Sequence, residues 1–220
     1  VFIGTETTIG TTSTQDDMYI RWSDQESINA STSYAPSATN TAGTQRLADG
    51  TRIVSAIRGR DAIYIWTDTS LFIMRFVGAP FVFSFQQVGT NCGLIGKNAA
   101  VEVDGSAYWM SENGFFRYTG KLDSLACLVE DYVYDDINTV PRQHIYAGLN
   151  NLFGEVTWFY PGSGAASNNR SVTYNYMDST PERPVWTTSS LARSTWSDSH
   201  IFGKPHATEY DSDATSDSTV

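Results

Sequence analysis

Apolar and polar positions are organised over short spans in this chain, and the best-ordered stretch runs from Ser55 to Gly120. It holds two copies of one pattern: an apolar strand ending at or next to a Trp, a short polar turn, then a second aromatic strand. In the first copy Ile63-Tyr64-Ile65-Trp66 meets Thr67-Asp68-Thr69-Ser70, and Leu71 to Phe76 follows. In the second, Ala107-Tyr108-Trp109-Met110 meets Ser111-Glu112-Asn113-Gly114, and Phe115 to Tyr118 follows. β-Branched and aromatic runs closed by Gly, Asn, Asp or Ser clusters predict hairpins. Neither segment spaces its apolar residues as a helix would.

The flanking sequence extends the pattern. Val1 to Gln15 predicts an edge strand running into a Thr-rich loop, and Met18 to Trp22 a strand closed by Ser23 to Glu26. Ser27 to Thr44 has no periodicity and predicts an ordered surface loop. Gln45 to Leu47 and Ile53 to Ile57 flank Asp49-Gly50, a hairpin signal because both residues tolerate positive φ. Gly93 to Gly96 and Ala99 to Val103 predict further strands, the second joined to the Trp109 hairpin by Asp104-Gly105. Between Leu122 and Asn138 the positions Leu125, Leu128, Val129, Tyr132 and Val133 fall at spacings of three and four, which predicts one short helix. A third copy follows, from Glu155 to Tyr160, through Pro161-Gly162-Ser163-Gly164, into Ser171 to Tyr176, and on to Val185-Trp186-Thr187 beyond the turn at Pro181 to Pro184.

Trp66, Trp109 and Trp158 stand 43 and 49 residues apart. A period of about 40–50 residues with several strands per unit is that of β-propeller blades, which stack because one blade cannot cover both its faces. The expected fold is therefore all-β: a β-propeller-like platform of repeated hairpins with at most one short helix. A β-sandwich and a set of stacked hairpins are the alternatives. Two to four blades fall short of a closed ring, and the chain opens mid-strand at Val1-Phe2-Ile3. It is thus expected to be part of a longer polypeptide, with residues 1–208 forming the β domain. Residues 209–220 form an acidic, Ser-rich tail that is flexible or continues into a further region.

Composition narrows the function. The formal net charge of -10 (24 acidic, 14 basic residues) argues against unaided binding of phosphate backbones and against docking on anionic lipid. Two cysteines, Cys92 and Cys127, are too few for a disulfide framework and read as reduced core residues. No run approaches the ~18 apolar residues of a membrane helix.

No catalytic constellation stands out. His144, His200 and His206 share no ligand spacing, and HExxH, Cys/His zinc and GxSxG patterns are absent. Glu130-Asp131 and Asp135-Asp136 offer a paired-carboxylate site, but a solvated polar face explains them better. Asp211-Ser212-Asp213 starts like a calcium loop but lacks its glycine and distal glutamate. Gly93-Leu94-Ile95-Gly96 has no Lys-Ser/Thr after it and is no phosphate loop. The six tryptophans (Trp22, Trp66, Trp109, Trp158, Trp186 and Trp196) suit sugar faces, but their strand spacing favours packing between β layers. No catalytic, cofactor-binding or metal-binding residue is nominated, and no cofactor is expected.

Several long strings resemble a family of tailed-bacteriophage virion proteins. They are RWSDQES, ATNTAGTQRLADG, AIYIWTDTSLFIMRFVGAPFVFSFQQVG, GKNAAVEVDGSAYWMSENGFFRYTG, LACLVEDYVYDDIN and EVTWFYPGSGAASNNRSVTYNYMDSTPERPVWT, and the likeness spans about residues 18–208. The family comprises tail nozzle, tail tubular protein B and packaged-DNA stabilisation (hub) proteins of short-tailed phages. The resemblance implies a non-enzymatic structural virion protein, in the tail or head–tail connector, assembled in the bacterial host cytoplasm. It implies a homo-oligomeric ring around the DNA ejection channel and contacts with neighbouring tail or connector proteins. Genomic DNA would pass nearby without specific binding, and no membrane would be contacted in the assembled particle. The loop SINASTSYAP departs from the family, whose members tend to carry a Trp-Pro element there. A lumen of like charge would keep DNA off the wall, which gives the net charge a meaning. The alternative is a carbohydrate-binding β-propeller module for host receptor recognition; a polysaccharide hydrolase would need two convergent carboxylates, and no pair is nominated.

Overall fold

The computed structural model describes residues 1–28, 31–198 and 204–209. Strand accounts for 48% of the chain and helix for 8%, in five antiparallel sheets, none of them closed. Among the described residues the fold is all-β with one short α-helix. Its contacts fall into two compact units, Val1–Leu94 and Ile95–Val220.

In the first unit β1 (Phe2–Glu6), β2 (Gln15–Trp22) and β3 (Gly43–Arg46) form a three-stranded sheet in that order. A four-stranded up-and-down sheet follows: β4 (Ile53–Arg58), β5 (Ile63–Thr67), β6 (Ser70–Gly78) and β7 (Val82–Thr90). Alternate residues of a strand share a face, and here the inward sets meet. Met18, Ile20, Trp22 and Leu47 pack with Ile65, Phe72 and Met74 in one buried cluster, flanked by Phe83 and Phe85. Each such side chain contributes about 1.5–3 kcal/mol on full burial.

The second unit holds two more four-stranded meanders. One is β8 (Ala100–Val103), β9 (Ser106–Ser111), β10 (Gly114–Tyr118) and β11 (Leu122–Leu125); the other is β12 (Tyr146–Asn150), β13 (Glu155–Tyr160), β14 (Arg170–Asn175) and β15 (Trp186–Ser189). A helix, α1 (Glu130–Asp136), lies between them in sequence, and β16 (Thr195–Ser197) pairs with β17 (His206–Thr208). The two meanders meet through aromatic rings. Phe115 lies 4.9 Å from Trp158 and 4.8 Å from Trp186, centroid to centroid. The Trp158 indole N–H donates to Ala99 O at 3.0 Å, so the ring is buried without losing its polar group.

The three four-stranded sheets share one construction. Trp66, Trp109 and Trp158 each sit on the second strand and are fully buried. Each faces a small residue on the first strand: Ser55, Ala100 and Ala147. A cross-strand partner without bulk leaves room for the indole. Asp104-Gly105 closes β8 onto β9 with φ of 49° and 87°, the two-residue turn that positive φ permits.

Three expectations are corrected. Asp49-Gly50 does not close a hairpin, because β3 pairs with β2 and β4 with β5; the turn carries the chain from one sheet to the next. The Asp49 carboxylate instead accepts hydrogen bonds from Ser70 Oγ and from Gln87 Nε2 (2.9 Å), which ties the crossover to the neighbouring sheet. The helix is confined to Glu130–Asp136, since Leu122–Leu125 is a strand paired with β10. Leu125 is buried from that strand and Val133 from the helix, while Leu128 and Tyr132 remain 78% and 56% exposed. Residues 93–96 are not a strand but a buried connection. A Cβ on Gly93 would stand 2.1 Å from Asp68 O, and one on Gly96 2.3 Å from Arg142 O. Both glycines are there because backbone meets backbone. Of the tail expected over residues 209–220, all but Glu209 lies outside the described residues.

Candidate functional site

Each Trp strand leads into a corner that the following chain fastens. At the first, Thr67 Oγ1 accepts from Ser70 N at 2.8 Å, and Cys92 N and Leu94 N donate to Thr69 O and Thr67 O at 2.9 and 3.1 Å. Asp68 accepts from Thr51 N at 2.8 Å and from Thr51 Oγ1. Partial burial works against the charge of Asp68, but these hydrogen bonds outweigh it and hold the carboxyl below its ordinary pKa. At the second corner the Tyr134 hydroxyl donates to Ser111 O (2.7 Å) or Gly114 O (3.0 Å), and burial drives its pKa well above the ordinary phenol value. At the third, Asn138 N donates to Pro161 O at 2.8 Å. These carboxylates, hydroxyls and amides are engaged in holding turns.

The residues weighed in the sequence do not converge. His144 lies in the 3₁₀ turn Arg142–His144, and His206 begins β17; His200 and Asp211-Ser212-Asp213 lie outside the described residues. Among the described residues no group of three His, Cys, Asp or Glu side chains is placed to hold a metal ion. Glu130, Asp131, Asp135 and Asp136 all belong to α1, and Asp136 faces Arg170 Nε at 3.3 Å. Cys92 is buried and Cys127 half-buried, neither in a disulfide, and burial pushes both thiols up to about 11. Both are thiols at neutral pH, so neither supplies a thiolate nucleophile. Trp22, Trp66, Trp109 and Trp158 are buried, with Trp186 and Trp196 partly so.

A cavity of about 490 Å³ lies in the second unit, lined among others by Lys97, Asn98, Gln143, His144, Ser167 and Asn168. The Asn168 amide is buried and donates to His144 O and Arg193 O at 2.7 and 2.9 Å, bracing two walls together. His144 Nδ1 lies 2.9 Å from Ala166 O, which fixes the proton on Nδ1 and leaves Nε2 as an acceptor in the neutral ring. The lining offers one ammonium, one imidazole, amides and hydroxyls, and no carboxylate among the described residues. Such a wall can bind a polar ligand, but it lacks a nucleophile paired with a base. Sequence reasoning missed it because Lys97, His144 and Asn168 come from separate loops with no shared motif.

A second feature is the β6–β7 hairpin. Residues beyond Met74 have no partner on β5, so the hairpin projects past the sheet by about 13 Å at 3.3 Å per residue. Phe76, Val77 and Phe81 there are 72%, 54% and 76% exposed. The signal was in the sequence as an uncharged Gly-Ala-Pro-Phe turn where polar turn residues are usual. No helix among the described residues is long and apolar enough to cross a membrane. No family profile and no curated protein matches the chain.

Proposed function

We propose that this chain is a structural virion protein, a ring-forming subunit of the tail nozzle or head–tail hub of a short-tailed bacteriophage, contributing wall to the DNA ejection channel. The observation that carries the reading is the threefold use of one four-stranded up-and-down sheet, each with a fully buried Trp on its second strand opposite a small residue. Blades of this kind build platforms whose faces are covered by like neighbours. The same stretches of sequence carry the resemblance to the phage family. The role is non-enzymatic: the described acidic, thiol and hydroxyl groups near the Trp corners serve the fold. The acidic balance of -10 suits a channel wall that repels phosphates. The test is symmetry-resolved electron microscopy of the particle that contains this chain. A closed ring on the tail axis is expected; a peripheral or monomeric location would refute the reading.

A glycan-binding module is the second reading, favoured by the amide- and hydroxyl-lined cavity around Asn168. Four of the six Trp rings are buried in β layers, which weighs against stacking on sugars. Binding on a glycan array that is lost in Asn98→Ala and Gln143→Ala would reverse the order of the two.

A further inference from the structure

We infer that the projecting β6–β7 hairpin is an arm that docks onto the α1 region of a second copy of this chain, in a head-to-tail contact. This rests on the ring-forming reading and names the surfaces that would form the ring.

The arm is apolar at its tip and basic at its base. From Phe76 to Phe85 it carries no charge, and the exposed Phe76 ring meets Phe83 edge-on at 5.8 Å. Arg75 leads into the arm, and the β4–β5 turn, which brings Arg58 and Arg60, lies at the same end of the sheet. Asp61 is the one acidic residue in that turn. Arg58 and Arg60 are exposed, and none of the three guanidiniums forms an ion pair among the described residues. A convex apolar tip with a cationic collar needs an apolar seat with an anionic rim.

The chain itself carries such a seat. Leu128 and Tyr132, spaced four residues apart, are exposed on the α1 region, and Tyr132 borders a hollow of about 290 Å³ with Asp135, Asp136 and Arg170. Asp136 is matched by Arg170, but Asp131 and Asp135 are exposed and make no ion pair among the described residues. Phe76 and Phe81 would cover Leu128 and Tyr132, while Arg58, Arg60 and Arg75 would face Asp131 and Asp135. The two surfaces differ, so the contact is heterologous; such contacts repeat from copy to copy and close into a ring when the rotation allows. Like-charged arms repel one another, which disfavours arm-on-arm pairing.

The experiment uses the full chain in sedimentation velocity, with circular dichroism to verify folding. An arm variant (Phe76→Ser with Phe81→Ser) and a seat variant (Asp131→Arg with Asp135→Arg) are each expected to weaken self-association by about tenfold or more. All four positions lie on the surface, so both variants fold. Mixing them restores one intact arm and one intact seat, and a species of two chains is expected to appear. Arg58→Asp with Arg60→Asp is expected to weaken assembly, and adding it to the seat variant to restore it. If the wild-type chain assembles but the mixture stays monomeric, the docking is wrong and the ring reading survives. If the wild-type chain stays monomeric up to its solubility limit, both fall. Arm-dependent flotation of a monomeric chain with phosphatidylglycerol vesicles would overturn the docking in favour of a lipid surface.

Discussion

The two ends of the β4–β7 sheet are built on opposite principles. At one end the Thr67–Ser70 corner buries its polar groups and answers them internally: Thr67 with Ser70, Ser70 with Asp49, Asp68 with Thr51, and the 92–94 connection with both turn carbonyls. At the other, Phe76, Val77 and Phe81 stand more than half exposed to solvent. A sheet gains stability only where its neighbours are present. The corner is finished within the chain; the tip of the arm is left open to solvent. Asp49 and Asp68 stand with Arg52 at the first end, and Arg58, Arg60 and Arg75 with Asp61 at the second, so the balance is acidic at one and basic at the other.

The contrast is sharpest in stability measurements. Trp66→Ala empties the layer beneath the corner and is expected to cost about 3–5 kcal/mol in urea unfolding, the range for a buried aromatic. Gly93→Ala forces a methyl against the Asp68 carbonyl and is expected to cost about 3 kcal/mol, because backbone rather than a movable side chain is in the way. Asp68→Asn is expected to cost about 1 kcal/mol at pH 7. Its folded pKa is depressed, so the carboxylate's contribution is full above the unfolded value near 3.9 and is lost as pH falls through the folded value. Urea midpoints of wild type and Asp68→Asn should therefore converge below about pH 4. Phe81→Ser, at the far end, is expected to change stability by less than about 0.5 kcal/mol. A loss there as large as that of Trp66→Ala would make the tip part of the core and dissolve the contrast.

What was legible in the sequence was whatever is local. The three Trp hairpins and the Asp104-Gly105 turn follow from residues within a few positions of one another, since alternation and positive φ need no distant partner. Asp49-Gly50 carries the same turn chemistry, yet β3 finds β2 and β4 finds β5; turn residues permit a reversal without choosing strand partners. Leu125 to Val133 has helical spacing, but pairing with β10 claims Leu125 before the helix begins. The cavity around Asn168 was invisible for the same reason: its walls are joined by hydrogen bonds to His144 O and Arg193 O across separate loops. Gly93 and Gly96 were readable as glycines but not as points where two stretches of backbone touch.

Each four-stranded sheet is drawn from one unbroken run of chain, residues 53–90, 100–125 and 146–189. During translation, every strand of a sheet leaves the ribosome before the next sheet begins. No strand of these three sheets has to wait for a partner encoded far downstream, and closing connections of two to ten residues costs little chain entropy. The order of synthesis therefore allows construction one completed sheet at a time, with few strands left unpaired in between.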